Sequence, residues 1–164
     1  MTDVATRVGG PGDRSLFIDL WGEFLREHRK RGNCVEPTVR SMDYFLTLFD
    51  QYTTGVRGGV VVFGAGNNAV CMWGDVLAEG GFDHAEGCVA HGLGTYVRKE
   101  FRSKNVTGLL WRRASKILKK RGFDAVIAAV DIQPEESKIE GHRGFDRAVS
   151  FGFIPTEIVG VLRL

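Results

Sequence analysis

Between Arg98 and Arg121 the chain concentrates ten cations against a single carboxylate, Glu100, and the residues that follow are mostly acidic, with Asp124, Asp131, Glu135, Glu136 and Glu140. The chemistry this stretch suits is anion binding. Val97 to Leu110 joins an apolar run, Cys88 to Val97, to the clearest helical pattern in the chain. A strand that feeds a helix leaves amide N–H groups unpaired at the helix start, aimed outward, where they hold anions. Here those are the amides of Ser103, Lys104, Asn105, Val106, Thr107 and Gly108, and Arg102 and Lys104 add full charges. Such an assembly suits a pyrophosphate, with the remaining cations available to a further phosphate at the rim.

Other chemistries fit less well. Gly64-Ala65-Gly66-Asn67-Asn68-Ala69 follows an apolar strand and spells the dinucleotide pattern G-x-G-x-x-[GA]. That pattern works only when a helix opens on the pyrophosphate, whereas Ala69 to Trp73 is strand-like and Gly74 follows at once. The hexapeptide therefore reads as a hairpin turn. Cys88 and His91 make no nucleophile pair, because residues three apart on a strand face opposite sides. No H-E-x-x-H or C-x-x-C spacing occurs, so no metal is expected, and the separated Cys34, Cys71 and Cys88 are expected as reduced thiols. The cations of Arg112 to Arg121 sit mostly opposite an apolar stripe, as a solvated face would, and no aromatics interleave them, so nucleic acid is not the expected partner.

The elements that must position the anion site are legible from periodicity. Val4 to Val8 alternates as a short strand, Gly9-Gly10-Pro11-Gly12 breaks it, and Asp13 is placed to cap a helix. Leu16, Phe17, Leu20, Trp21, Phe24 and Leu25 then form one helical stripe, ended by Gly32-Asn33. Pro37 opens a second helix with the stripe Val39, Met42, Phe45, Leu46, Phe49 and Tyr52, ended by Thr53-Thr54-Gly55. Val60 to Phe63 and Ala69 to Trp73 are strands, and a glycine-rich connection, Ala78 to Gly87, leads to the run from Cys88 to Val97. The helix Val106 to Arg121 closes with Lys119-Lys120-Arg121-Gly122, cations and then glycine. Phe123 to Val130 is a strand, a helix is expected near Arg143 to Phe151, and Ile154 to Leu164 is the last strand.

This order, strand, two helices, three strands, helix, strand, helix, strand, predicts an α/β fold of the α+β type: a mixed, mostly antiparallel sheet with helices on both faces. The 164 residues, 43% hydrophobic and 26% charged, fit one domain spanning 1–164, with no repeat or linker. The apolar runs are too short to cross a bilayer and the first residues lack a secretory pattern, so a cytoplasmic location is expected.

The chain resembles the Gcn5-related N-acetyltransferases, which carry a strand, then valine-x-x-x-x-[RQ]-x-x-G-x-[GA], then a helix. Val97, Arg102, Asn105 and Thr107 fall in that register, with Asn105 and Thr107 in place of the two small residues. Val4 to Asp13 is similar to the family's opening strand and first cap, Phe123 to Val130 to its fifth strand, and Ser150-Phe151-Gly152-Phe153 to the "GF" before its sixth.

The resemblance implies binding of acetyl-coenzyme A or another acyl-coenzyme A in a V-shaped opening between the fourth and fifth strands, and transfer of the acyl group to a small-molecule or terminal amine by direct attack. It implies that Tyr96 and Val97 pair with the pantetheine, that the amides of Ser103 to Gly108 cradle the diphosphate, and that Arg102 and Lys104 hold phosphates. His91 is a candidate base if it faces the cleft, and otherwise an ordinary sheet histidine. The family's tyrosine acid aligns with Ala148, which leaves His142 as a candidate donor or a solvated loop histidine. Asparagine tolerates the left-handed conformation a loop glycine would adopt. The Thr107 side chain either fills the phosphate approach or donates its hydroxyl to it. After Gly152-Phe153 residues for only one long strand remain, so a homodimer through the C-terminal edge strand is expected. The alternative is a catalytically silent binding or structural protein with the same fold.

Overall fold

The computed structural model describes residues 5–30, 39–75 and 89–128. In that range the elements are β1 (Thr6–Val8), α1 (Arg14–Lys30), α2 (Val39–Thr54), β2 (Val60–Gly64), β3 (Ala69–Gly74), β4 (Val89–Val97), α3 (Val106–Lys120) and β5 (Ala125–Ala128), in the expected order. The expected helix near Arg143 to Phe151, the strand Ile154 to Leu164, the connection Ala78 to Gly87 and His142 lie outside the described residues.

The five strands form one sheet in the order β1-β2-β3-β4-β5. Every neighbouring pair is antiparallel except β4 and β5, which run parallel and therefore need the crossover that α3 supplies. Gly64 to Ala69 is the β2–β3 hairpin, as the sequence indicates: Gly66 and Asn67 take positive φ of 69° and 58°, and Ala69 enters a strand rather than a helix.

Helices cover both faces. On one, Phe17, Leu20 and Trp21 of α1 and Leu48, Phe49 and Tyr52 of α2 pack on Val61, Phe63, Val70, Met72 and Tyr96. On the other, Val106, Leu110, Ala114 and Leu118 of α3 pack on Val60, Val62, Cys71, Trp73, Ala90 and Val97. Because β2 and β3 are apolar on both sides, they read as continuous hydrophobic runs rather than alternating ones. Each fully buried large side chain contributes about 1.5–3 kcal/mol.

Two local features differ from expectation. Asp13 does not cap α1 forward: its carboxylate turns back, taking the Gly10 amide (2.9 Å) and both guanidinium nitrogens of Arg7 (2.8 Å each), and a short 3-10 turn, Pro11–Asp13, precedes the helix. Leu48, outside the expected α2 stripe, is fully buried, because α2 packs on both the sheet and the neighbouring α1 and so buries a wider face. The end of α3 follows its sequence pattern. Gly122 takes φ +87°, its amide donates to the Lys119 carbonyl and that of Phe123 to Leu118, the paired reverse bonds that close a helix on a left-handed glycine.

Candidate active site

Strand β4 and its exit into α3 carry nearly all the candidate residues. The β3–β4 register is interrupted between Met72 and Trp73: Met72 lies opposite Gly94 and Trp73 opposite Gly92, leaving Leu93 as an extra residue, a β-bulge. A bulge leaves backbone groups outside the ladder, available to something other than the neighbouring strand. Glycines on either side of Leu93 were the sequence signal for it, since isolated strand glycines mark bulges or close approaches. The close approach is also present. A Cβ on Gly94 would lie 2.8 Å from Cη2 of Trp21 and 3.0 Å from Cζ of Phe24, so α1 rests directly on the bulged strand.

The register assigns the faces. Gly74, whose added Cβ would meet the Tyr52 ring, lies opposite His91, so His91 shares the α1–α2 face with Gly94 and Tyr96. Thr95 lies on the α3 face, where its hydroxyl accepts the Trp111 indole N–H at 2.9 Å. The described part of β5 pairs with Val89 to Gly92 alone, while β4 beyond the bulge pairs with β3 through Gly94 to Val97.

The turn that follows is held to the sheet by the Arg98 amide, which donates to the Asn68 carbonyl (3.0 Å). Lys99–Lys104 then form a 3-10 helix, with Ser103 and Lys104 as its last residues. Asn105 stands between that helix and α3 at φ +53°, ψ +25°, the left-handed conformation its side chain tolerates. It offers α3 no side-chain cap, and its carbonyl accepts the amide of Leu109 (3.3 Å), so the amides of Val106, Thr107 and Gly108 open the helix ahead of that bond. Asn105 Oδ1 lies over Gly108, where a Cβ would be 2.7 Å away. The Val106 side chain is buried in the α3 core, and Thr107 is half-buried at the second helical position. Unpaired amides at a helix N-terminus fit an anionic diphosphate.

Charges around this turn are paired with α1. Arg98 makes two bonds to the Glu23 carboxylate (3.1 and 2.9 Å), and Tyr96 donates its hydroxyl to the same group (3.2 Å). Arg102 reaches the Glu27 carboxylate at 2.5 Å, donates Nε–H to the Val97 carbonyl at 2.8 Å, and lies over the Tyr96 ring. Hydrogen bonding to Arg98 holds the Glu23 carboxyl below the usual carboxylate range, and burial, aided by Glu23, pushes the Tyr96 phenol up. Bonds to Glu23 and Glu27 raise the arginines in turn.

The structure thus brings His91, Tyr96 and Val97 onto one strand and Arg102, Ser103, Lys104, Asn105, Val106, Thr107 and Gly108 onto the turn and helix it feeds. His142 lies outside the described residues. Sequence reasoning missed Glu23 and Glu27; their four-residue spacing on α1, matched by that of Arg98 and Arg102, was the only hint. Among the described residues no group of three His, Cys, Asp or Glu side chains could hold a metal ion, and no helix is long and apolar enough to cross a membrane.

No protein-family model matches the sequence, and no curated protein sequence does either. Solved structures do match in fold. AAC(6')-Iy, solved with the bisubstrate analogue CoA-S-monomethyl-acetylneamine, is 12% identical with a TM-score of 0.67 over 99% of each chain. The aminoglycoside acetyltransferase meta-AAC0020 from an uncultured soil metagenomic sample, solved with sisomicin, is 16% identical with a TM-score of 0.63 over 98% of this chain and 93% of its own. An acetyltransferase of Trypanosoma brucei is 16% identical with a TM-score of 0.60 over 99% of this chain and all of its own. The chain therefore has the fold of these acetyltransferases, the Gcn5-related N-acetyltransferase fold that its sequence resembles.

Proposed function

We propose that this protein is an acyl-coenzyme A-dependent N-acyltransferase, with acetyl-coenzyme A as the expected donor and a small-molecule or terminal amine as acceptor. The observation that carries this reading is the bulged strand β4 leading, through one short 3-10 helix, into a helix whose first amides follow a left-handed Asn105. The bisubstrate analogue bound by AAC(6')-Iy and the sisomicin bound by meta-AAC0020 support an amine acceptor of that kind, and the match along 99% of both chains supports a single domain spanning 1–164.

In this reading the amides of Val106, Thr107 and Gly108 at the start of α3 hold the diphosphate, those of Ser103 and Lys104 being engaged within the preceding 3-10 helix. Lys104 supplies charge, and the strand end at Tyr96 and Val97 aligns the pantetheine. The acceptor nitrogen attacks the thioester carbonyl carbon, the C–N bond forms, and the C–S bond breaks to release the thiolate. A backbone N–H freed by the bulge at Leu93 stabilises the developing oxyanion. His91, on the α1–α2 face, takes the proton from the amine, and His142 returns one to the thiolate.

Calorimetric titration with acetyl-coenzyme A, followed by thiol release across an amine panel, tests the reading. Binding and turnover are expected, with His91→Ala losing about 10²–10⁴-fold in kcat if it is the base. Absence of heat at millimolar ligand removes the transferase assignment. Binding without thioester consumption identifies the silent, ligand-holding form of the fold instead.

A further inference from the structure

We propose that Glu27 and Arg102 are positioning residues for the anion-binding turn, an inference that rests on the acyl-coenzyme A reading of that turn. The geometry is specific to a guanidinium. Nε of Arg102 meets the carbonyl of Val97, the last residue of β4 (2.8 Å), Nη2 meets Glu27 of α1 (2.5 Å), and the guanidinium face covers the Tyr96 ring with Cζ 5.8 Å from the centroid. A single side chain thereby ties the end of the strand to a helix on the opposite face of the sheet from α3. Glu27 is only 16% exposed, so it is not a carboxylate idling in solvent.

The turn needs such a tie. Between Val97 and Val106 the backbone consists of a 3-10 helix and one left-handed residue, and 3-10 bonds are poorly aligned. The buried face of α3 seats the helix on the sheet, but neither a ladder nor an α-helix braces the turn that leads into it. Arg102 and Glu27, with Arg98 and Glu23, brace that turn from the side, where it borders the amides of Val106, Thr107 and Gly108. The charge of Arg102 is answered by Glu27, so a diphosphate is met by the helix amides, not by Arg102.

A direct phosphate ligand and a positioning residue respond oppositely to two substitutions. Glu27→Gln releases the Arg102 charge: a direct ligand would then bind coenzyme A as well or better, whereas a positioning pair binds it about tenfold more weakly, the lower range for outer-shell partners. Arg102→Lys keeps the charge and loses the fork: a direct ligand is largely rescued, whereas a positioning residue is as impaired as in Arg102→Gln. Amide hydrogen exchange at Arg98 and Phe101, whose bonds hold the turn, accelerates in Glu27→Gln while exchange in β2 and β3 does not. If the unsubstituted protein ignores coenzyme A, the transferase reading fails and exchange alone decides the positioning claim. Wild-type exchange in Glu27→Gln, or rescue by Arg102→Lys, overturns it.

Discussion

Replacing Gly94 by alanine tests the contact that seats α1 on the bulged strand. The added Cβ would lie 2.8 Å from Cη2 of Trp21, a fully buried indole, and 3.0 Å from Cζ of Phe24. The indole has little room to retreat, since Phe17 stacks on it at 5.0 Å and Phe45 packs at 5.1 Å. Overpacking of this kind costs about 1–3 kcal/mol. The alanine restores roughly 0.5–1 kcal/mol by restricting the unfolded chain, leaving a net loss of about 1–2 kcal/mol. For a chain of this length that lowers the melting temperature by about 2–8 °C. Trp21→Phe removes the distal ring that clashes, so in its background the same alanine should be nearly neutral, a coupling of about 1–2 kcal/mol in a double-mutant cycle. Urea and thermal unfolding followed by far-UV circular dichroism measure all four proteins. A Gly94→Ala protein that melts with the wild type, or a coupling of zero, refutes the packing.

Three further expectations concern single residues. At Asn105, with φ +53°, valine should destabilise by about 1–2 kcal/mol and glycine by no more than a few tenths in urea titrations; equal losses would contradict a left-handed backbone there. Burial pushes the Cys71 thiol up to about 12, so in a Cys34→Ser/Cys88→Ser background it should react with a disulfide reagent only at the rate of unfolding, and fast labelling of native protein would disprove its enclosure. Arg7 and Arg98 hold the carboxyls of Asp13 and Glu23 below their ordinary values, so the folded state binds fewer protons than the unfolded chain there. Stability from these pairs is complete above the unfolded values and fades as the pH falls through about 5 to 3. Glu23→Gln should flatten part of that acid limb, and an unchanged slope would count against the Arg98 pair.

Periodicity and punctuation alone determined the element order through β5, the β2–β3 hairpin and the glycine closure of α3, because each depends on residues within a turn or two of one another. Gly122 and Gly66 adopt the positive φ that their neighbours imply, and the stripe of α1 buries the residues its spacing selects. The candidate anion site was legible for the same reason, as one continuous segment from Val97 to Gly108. Tertiary structure alone decided what Arg102 touches. From sequence it is a cation beside a phosphate loop; in the fold Glu27, 75 residues away, lies against it and takes its charge. It also decided where on β4 the bulge falls: Gly92 and Gly94 hint at an irregularity, but only the pairing with β3 leaves Leu93 as the extra residue. Ion pairing and register depend on which distant residues arrive at the same place, and no local pattern records that.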